Sequence, residues 1–165
     1  MFTSPMLSDE LQKTLNLLWT YVKDLKFAKS SILTSKFAPQ FPNSKWSNII
    51  IRSMVDLDHV ISGSFAVSND NREVEVVGGI QFKFGMAKAS KHVKTLGNWF
   101  ITWNQYSKAV SFAFPHRLSE LSMYSQQILR LFSATNPGSH SSIINLNKAI
   151  QVCVGERQDL LLMDH

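Results

Sequence analysis

Six basic residues lie in a long stretch, from Glu75 to Glu120, that contains no acidic residue between its ends. They are Lys83, Lys88, Lys91, Lys94, Lys108 and Arg117. A block of positive charge can contact nucleic-acid phosphates or an acidic partner, and it can equally be a solvated face that aids solubility. From this block we predict a set of nucleic-acid-binding residues, namely Lys83, Lys88, Lys91, Lys94 and Arg117.

Aromatic residues follow the lysines closely, and two readings compete for them. Trp99 and Trp103 follow Lys94 by five and nine residues, and basic residues interleaved with aromatic rings can hold single strands by charge and stacking. However, Leu96, Trp99, Trp103, Tyr106 and Val110 recur at three- and four-residue steps, which is the spacing of a buried helix face. We therefore predict that the rings are mostly core.

Other candidate chemical groups do not combine into a catalytic or metal site. The five histidines are scattered, and Cys153 is the only cysteine. Asp56 and Asp58 could hold a hard cation, but such a pair is more typical of carboxylates at a helix start. His116 and Arg117 lack a visible partner for proton transfer, and neither a nucleophile elbow nor a phosphate-binding loop is present. We predict no enzyme, no catalytic residue, no metal site, no cofactor and no small-molecule substrate.

Composition is that of an ordinary folded protein. The chain has 165 residues, 44% of them hydrophobic and 18% charged, with a net charge of +5, which suits one domain with a core of normal size. No apolar run approaches the roughly 18 to 20 residues that span a bilayer, and the first residues do not resemble a secretory signal. Cys153 on its own cannot form an internal disulfide, so a reducing compartment is expected. We predict an intracellular protein, cytoplasmic or nuclear, without membrane partners.

The N-terminal 42 residues are predicted to form an amphipathic helix and a proline-containing linker. Asp9 with Gln12 fits a capping box, and the apolar stripe of the helix is Leu11, Leu15, Leu18, Val22 and Leu25. We expect one continuous helix from about residue 8 to residues 30–31. Residues 43–165 would then form a helical domain.

The fold class predicted for the whole chain is mainly α, a helical bundle around an αα-hairpin of residues 96–133. Pro115 ends the aromatic helix and suits the first turn of the next one, which makes residues 114–117 a corner. The second helix carries the stripe Leu118, Leu121, Tyr124, Ile128 and Leu131. Trp99, Trp103, Pro115, Leu121 and Tyr124 are the predicted structural residues. Alternating residues on both sides of Gly78 and Gly79 predict a small β-hairpin near residues 72–84, lying on the helices.

Five stretches together resemble a known family. They are 46–50 (WSNII), 55–62 (VDLDHVIS), 93–103 (VKTLGNWFITW), 114–124 (FPHRLSELSMY) and 144–151 (INLNKAIQ). In this order they resemble the gag-like, or capsid-like, N-terminal region of fungal retrotransposons, over roughly residues 43–165. The resemblance implies a structural module that self-associates and binds the element's RNA weakly.

The chain departs from that family at identifiable positions. Asn147 and Gln151 stand where the resemblance leads us to expect an aspartate and an arginine, which indicates a lost ion pair or a degenerate copy. The zinc knuckle that often follows such a region is absent, and the apolar run near Leu162 suggests a truncated reading frame. Two other functions remain open: a helical DNA-binding module of a mobile-element recombinase, and an orphan protein-interaction domain. The first predicts sequence-selective duplex binding, and the second predicts a monomer that is indifferent to DNA and RNA.

Overall fold

The structure is a computed structural model that describes residues 8–65, 73–77, 80–84 and 91–164. Its described helices are α1 (Asp9–Lys23), α2 (Leu25–Thr34), α3 (Trp46–Ile50), α4 (Leu57–Phe65), α5 (Leu96–Ala113), α6 (Leu118–Ser133) and α7 (His140–Glu156). Short 3-10 turns, Asn43–Lys45, Pro115–Arg117 and Pro137–Ser139, lead into α3, α6 and α7. No helix in the part of the chain so described is long and apolar enough to cross a membrane. The prediction of a mainly helical protein is confirmed.

The predicted fold class requires one correction. It counted a small β-hairpin near residues 72–84 as a component of the architecture, whereas the buried core of the described residues is formed by the helices and the segments that adjoin them. Residues Glu73–Val77 and Ile80–Phe84 are extended and pair antiparallel with each other, and a two-stranded ribbon of this size is not a sheet layer. Every buried hydrophobic residue of the described core lies on a helix, on a connection that leads into a helix or on the segment after α7. Alternating polarity indicated locally extended chain, but it gave no information about packing on the helices.

The aromatic helix and the helix after it form the centre of the core. Trp99 and Trp103 are almost completely buried, and their rings stack with centroids 5.4 Å apart. Trp103 also lies 5.1 Å from the ring of Tyr124 on α6. Both residues therefore belong to the interface between α5 and α6, as the helical spacing predicted.

The ends of α5 and α6 follow from particular side chains. The Thr95 hydroxyl accepts a hydrogen bond from the Asn98 amide at 3.1 Å, which caps α5. Pro115 occupies the first position of the 3-10 turn that leads into α6, where its missing amide hydrogen costs nothing. Leu121 is buried as predicted, but Leu118 is 61% exposed and does not belong to the apolar stripe.

The predicted N-terminal helix is two helices. Asp24 interrupts it with non-helical backbone and accepts a hydrogen bond from the Phe27 amide at 3.0 Å, so the same residue ends α1 and caps α2. The face of α1 that meets the core is also rotated from the predicted one. Thr14 is fully buried, whereas Val22 of the predicted stripe is 44% exposed. The division of the chain at residue 42 remains a prediction.

Two contacts hold α1 against the corner between α5 and α6. The Thr14 hydroxyl lies 2.7 Å from Nε2 of His116, and the Tyr21 hydroxyl donates a hydrogen bond to the Ala113 carbonyl at 2.6 Å. Ala113 and His116 both lie within two residues of Pro115. The corner therefore positions the N-terminal helices as well as α6.

Candidate functional surfaces

The predicted nucleic-acid-binding residues do not all lie on one surface. Lys91 and Lys94 are exposed on the connection that precedes α5. The Lys91 backbone amide and carbonyl bond to the Ser62 hydroxyl at 2.9 and 3.1 Å, which fixes this connection against α4. Lys88 and the side chain of Lys83 lie outside the described residues. The described part of the basic face is therefore the pair Lys91 and Lys94.

Arg117 does not belong to that face. Its side chain is buried, and its Nε and Nη2 donate hydrogen bonds to the two carboxylate oxygens of Glu120 at 2.8 and 3.0 Å. A guanidinium held in this way cannot reach a phosphate on the surface. Its position one turn before Glu120, at the start of α6, makes it a structural residue of the corner.

The pair of Arg117 and Glu120 is one part of a larger buried polar cluster. Glu120 Oε1 also accepts a hydrogen bond from the Leu162 amide at 2.7 Å. Arg52, after α3, donates to the carbonyl of Gln158 at 2.6 Å and to that of Leu160. The cluster therefore ties the segment after α7 to α3 and to the corner.

Burial and charge change the pKa values in this cluster. Burial alone would raise the pKa of the Glu120 carboxyl, but the hydrogen bonds and charge of Arg117 outweigh it and hold that pKa below its ordinary value. Burial, reinforced by the positive charge of Arg117, lowers the pKa of Arg52 to about 10. All three groups are therefore charged at neutral pH.

Sequence reasoning did not identify Arg52 or Glu120. Neither residue belongs to a motif, and each is buried only because chain segments far apart in sequence meet there. The one available signal was the spacing of Arg117 and Glu120, which are three residues apart on a helix start and can pair. Burial of that pair depends on the segment around Leu162, which no local pattern indicates.

The two positions that depart from the resembled family both lie in the core. Asn147 is 1% exposed and its Oδ1 accepts a hydrogen bond from the Tyr124 hydroxyl at 2.9 Å. Gln151, one turn further along α7, is 4% exposed. Its Nε2 has no hydrogen-bond partner among the residues that the structure describes. Asn147 is thus accommodated as a neutral residue, whereas Gln151 leaves a buried donor unsatisfied.

Asp58, on α4, bonds to the connection before α5 and to α7, so its role is structural. Its Oδ1 accepts a hydrogen bond from the Val93 amide at 2.8 Å, and its Oδ2 lies 3.0 Å from His92 Nδ1 and 3.3 Å from Lys148 Nζ. Burial favours the protonated carboxyl, but these three partners outweigh burial and lower the pKa of Asp58.

Within residues 8–65, 73–77, 80–84 and 91–164, no cluster of three or more His, Cys, Asp or Glu residues could hold a metal ion. Cys153 is a free, exposed cysteine on α7.

The most exposed large apolar side chains in the described structure lie on α1, on α2 and just after α2. Trp19, Phe27 and Phe37 are 67%, 69% and 87% exposed. Phe27 also lines a groove of about 410 Å³, which we call the α1–α2 groove. Its lining includes the apolar groups of Tyr21, Phe27, Ala28, Ile32, Phe112 and Ala113. Single exposed apolar residues are common on proteins, but aromatic side chains next to an apolar groove mark a contact surface.

The chain segment that contributes most of the groove lining carries a net positive charge. Residues 20–37 contain four lysines, Lys23, Lys26, Lys29 and Lys36, against the single acidic residue Asp24, a net charge of +3.

Comparisons of the chain with protein-family models, with curated proteins and with solved structures give no match.

Proposed function

We propose that the protein is a non-enzymatic structural module that self-associates and binds nucleic acid weakly, as a gag-like protein does. The observation that carries the proposal is the α1–α2 groove, with Phe27 exposed on its lining and Phe37 exposed two residues after Ser35 of that lining. Burying a phenylalanine side chain in a contact contributes roughly 1.5 to 3 kcal/mol. Covering an apolar surface of this kind with a partner is therefore energetically favourable.

A second copy of the chain is a suitable partner. The groove and the protruding aromatic side chains are on the same molecule, so two copies can each place an aromatic side chain in the groove of the other. In a symmetric dimer of this kind every contact occurs twice. One modest surface can therefore support a dimer.

The lysines around the groove give nucleic acid a role in assembly. Two copies that meet at the α1–α2 groove bring together two surfaces of net charge +3, and like charges at an interface oppose association. A polyanion bound to these lysines, and to Lys91 and Lys94, neutralises the repulsion. Weak nucleic-acid binding and self-association therefore support each other in this proposal.

The proposal is tested by sedimentation equilibrium on the wild type and on Phe27→Ser and Phe37→Ser. We expect a concentration-dependent mass for the wild type, and an association constant at least about a hundredfold lower in each variant, because each dimer loses two apolar contacts of roughly 1.5 kcal/mol or more. Phe100→Ser is the matched control, since Phe100 is an exposed aromatic residue on α5, away from the groove lining. An unchanged association constant in both groove variants would refute a role for the groove.

The alternatives give different outcomes in the same preparation. An orphan interaction domain stays monomeric at every concentration and does not bind DNA or RNA. A sequence-selective DNA-binding module discriminates between duplexes in competition experiments, whereas the proposed module shows binding that depends steeply on salt and little on sequence.

A further inference from the structure

A small, partly open cavity lies where α3, α5, α7 and the corner before α6 meet. Its volume is about 20 Å³, and charged and polar groups of Arg52, Tyr106, Arg117 and Gln151 contribute to its lining. A cavity of roughly 10 to 15 Å³, measured in the same way, is enough for one water-sized occupant. The cavity is therefore large enough for one small molecule or ion.

The groups around this cavity carry an excess of positive charge. Arg117 and Glu120 neutralise each other through two hydrogen bonds. Arg52 is 5% exposed and bonds to two backbone carbonyls, which satisfy donors but carry no net charge. The nearest acidic residue along the bound segment, Asp159, is 58% exposed and pairs with Arg157 at 2.9 Å. A buried charge without a counter-charge is costly, so the cluster favours an anion.

Two residues that line the cavity, Arg52 and Gln151, each carry an unsatisfied hydrogen-bond donor. Arg52 Nε and Gln151 Nε2 are buried and have no partner within the described part of the chain. Both residues are more than nine-tenths buried. An unsatisfied buried donor costs about 1 to 3 kcal/mol, and two such donors on one cavity indicate a common acceptor.

The backbone of Arg52 supports a dedicated role for its side chain. Its φ is 58°, the left-handed region that non-glycine residues rarely adopt. This conformation is the one in which the guanidinium reaches the carbonyls of Gln158 and Leu160. Local strain of this kind is maintained only where the surrounding contacts compensate for it.

We propose that this cavity binds a single small monovalent anion, chloride, accepting hydrogen bonds from Arg52 Nε and Gln151 Nε2. The anion neutralises the charge of Arg52 and satisfies both donors. It links α7 to the turn after α3 and thereby stabilises the packing of the C-terminal segment. This proposal is independent of self-association and of nucleic-acid binding.

The test compares melting temperatures in sodium chloride and in sodium gluconate at equal ionic strength. Gluconate is too large for the cavity, so chloride should raise the melting temperature in a saturable way, as a ligand of the native state does. A crystal grown in sodium bromide should give an anomalous peak within hydrogen-bonding distance of Arg52 Nε. Equal melting temperatures in the two salts, together with water alone in the cavity of the bromide crystal, would overturn the proposal.

Variants distinguish a bound anion from a general salt effect. Gln151→Leu removes one donor and should reduce the chloride-dependent rise in melting temperature by at least half. Arg52→Met should abolish the rise, and Arg157→Met, at an exposed arginine of the same segment, should leave it unchanged. If Arg52→Met does not fold, Gln151→Leu and the bromide crystal decide the question. A full chloride response in Gln151→Leu, with no bromide peak, would also contradict the proposal.

Discussion

The guanidinium of Arg117 and the carboxylate of Glu120 form a buried pair, joined by two hydrogen bonds, at the corner between α5 and α6. The side chains are 4% and 2% exposed, and the carboxylate also accepts the Leu162 amide. The corner that redirects the chain thus also binds the C-terminal segment. It makes a residue that was predicted to contact phosphate into part of the core.

Removing one partner of this pair should destabilise the protein strongly. Glu120→Gln leaves the buried guanidinium of Arg117 without a counter-charge, which typically costs about 3 to 5 kcal/mol. Urea denaturation followed by tryptophan fluorescence measures the loss. The double variant Arg117→Met with Glu120→Leu is the control and should lose less than the two single changes together, because no unpaired charge remains. Additive losses would show that the two residues do not act as a pair.

The tryptophans should separate into core and surface residues. Trp103 is buried at 1% exposure, so Trp103→Ala should lower the free energy of unfolding by roughly 3 to 5 kcal/mol. Trp19 is 67% exposed, and Trp19→Ala should change the free energy of unfolding by less than about 0.5 kcal/mol. Thermal and urea unfolding measure both. Similar losses in the two variants would contradict the assignment of Trp103 to the core.

The protein should become less stable in acid because two of its buried carboxyl groups have lowered pKa values. The pKa values of Asp58 and Glu120 are lower in the folded protein than their ordinary values. The unfolded chain therefore binds protons more readily, so the stabilisation is complete above the unfolded pKa and is lost as pH falls through the folded pKa. Free energies of unfolding measured from neutral pH downward should decrease across that window.

Asp58→Asn should flatten this pH dependence. The asparagine can still accept the Val93 amide but cannot pair with His92 or Lys148, so its contribution no longer varies with pH. Asp164→Asn makes the same change of charge at an exposed position and is the matched control. A pH profile of Asp58→Asn that follows the wild type would show that Asp58 is not a source of acid sensitivity.

The lysines before α5 should contribute to nucleic-acid affinity without providing sequence selectivity. In the double variant Lys91→Gln with Lys94→Gln, the slope of log affinity for single-stranded RNA against log salt should fall by about 1.4 if each contacts one phosphate. Lys13→Gln with Arg130→Gln removes the same charge from α1 and α6 and should change the slope less. Equal slopes in the wild type and in the Lys91 and Lys94 variant would exclude phosphate contacts by these two residues.

Helical spacing predicted the centre of the fold because α5 and α6 each present one apolar face. Trp99, Trp103 and Tyr124 are buried for the reason that the spacing indicated. Thr95 and Pro115 mark helix starts through hydrogen bonds and ring geometry that are local in sequence. Local signals of this kind can be read without knowing the tertiary structure.

Features that depend on distant chain segments were missed. Thr14 is buried because His116, far along the chain, lies beside its hydroxyl. Arg117 is buried because Glu120 and the segment around Leu162 cover it, and a count of charges places it on the surface instead. The candidate surfaces share this dependence. The α1–α2 groove is lined by residues of α1, α2 and α5, among them Ile32 and Phe112, and no single helix indicates this arrangement alone.

The salt dependence of self-association tests the central claim most directly. Sedimentation equilibrium of the wild type between about 0.05 and 0.5 M salt should show an association constant that rises, because salt screens the lysines around the groove and strengthens apolar burial. A short single-stranded RNA added at the lowest salt should increase association as well. A monomer under all these conditions, or an association constant that falls with salt, would contradict assembly through the α1–α2 groove.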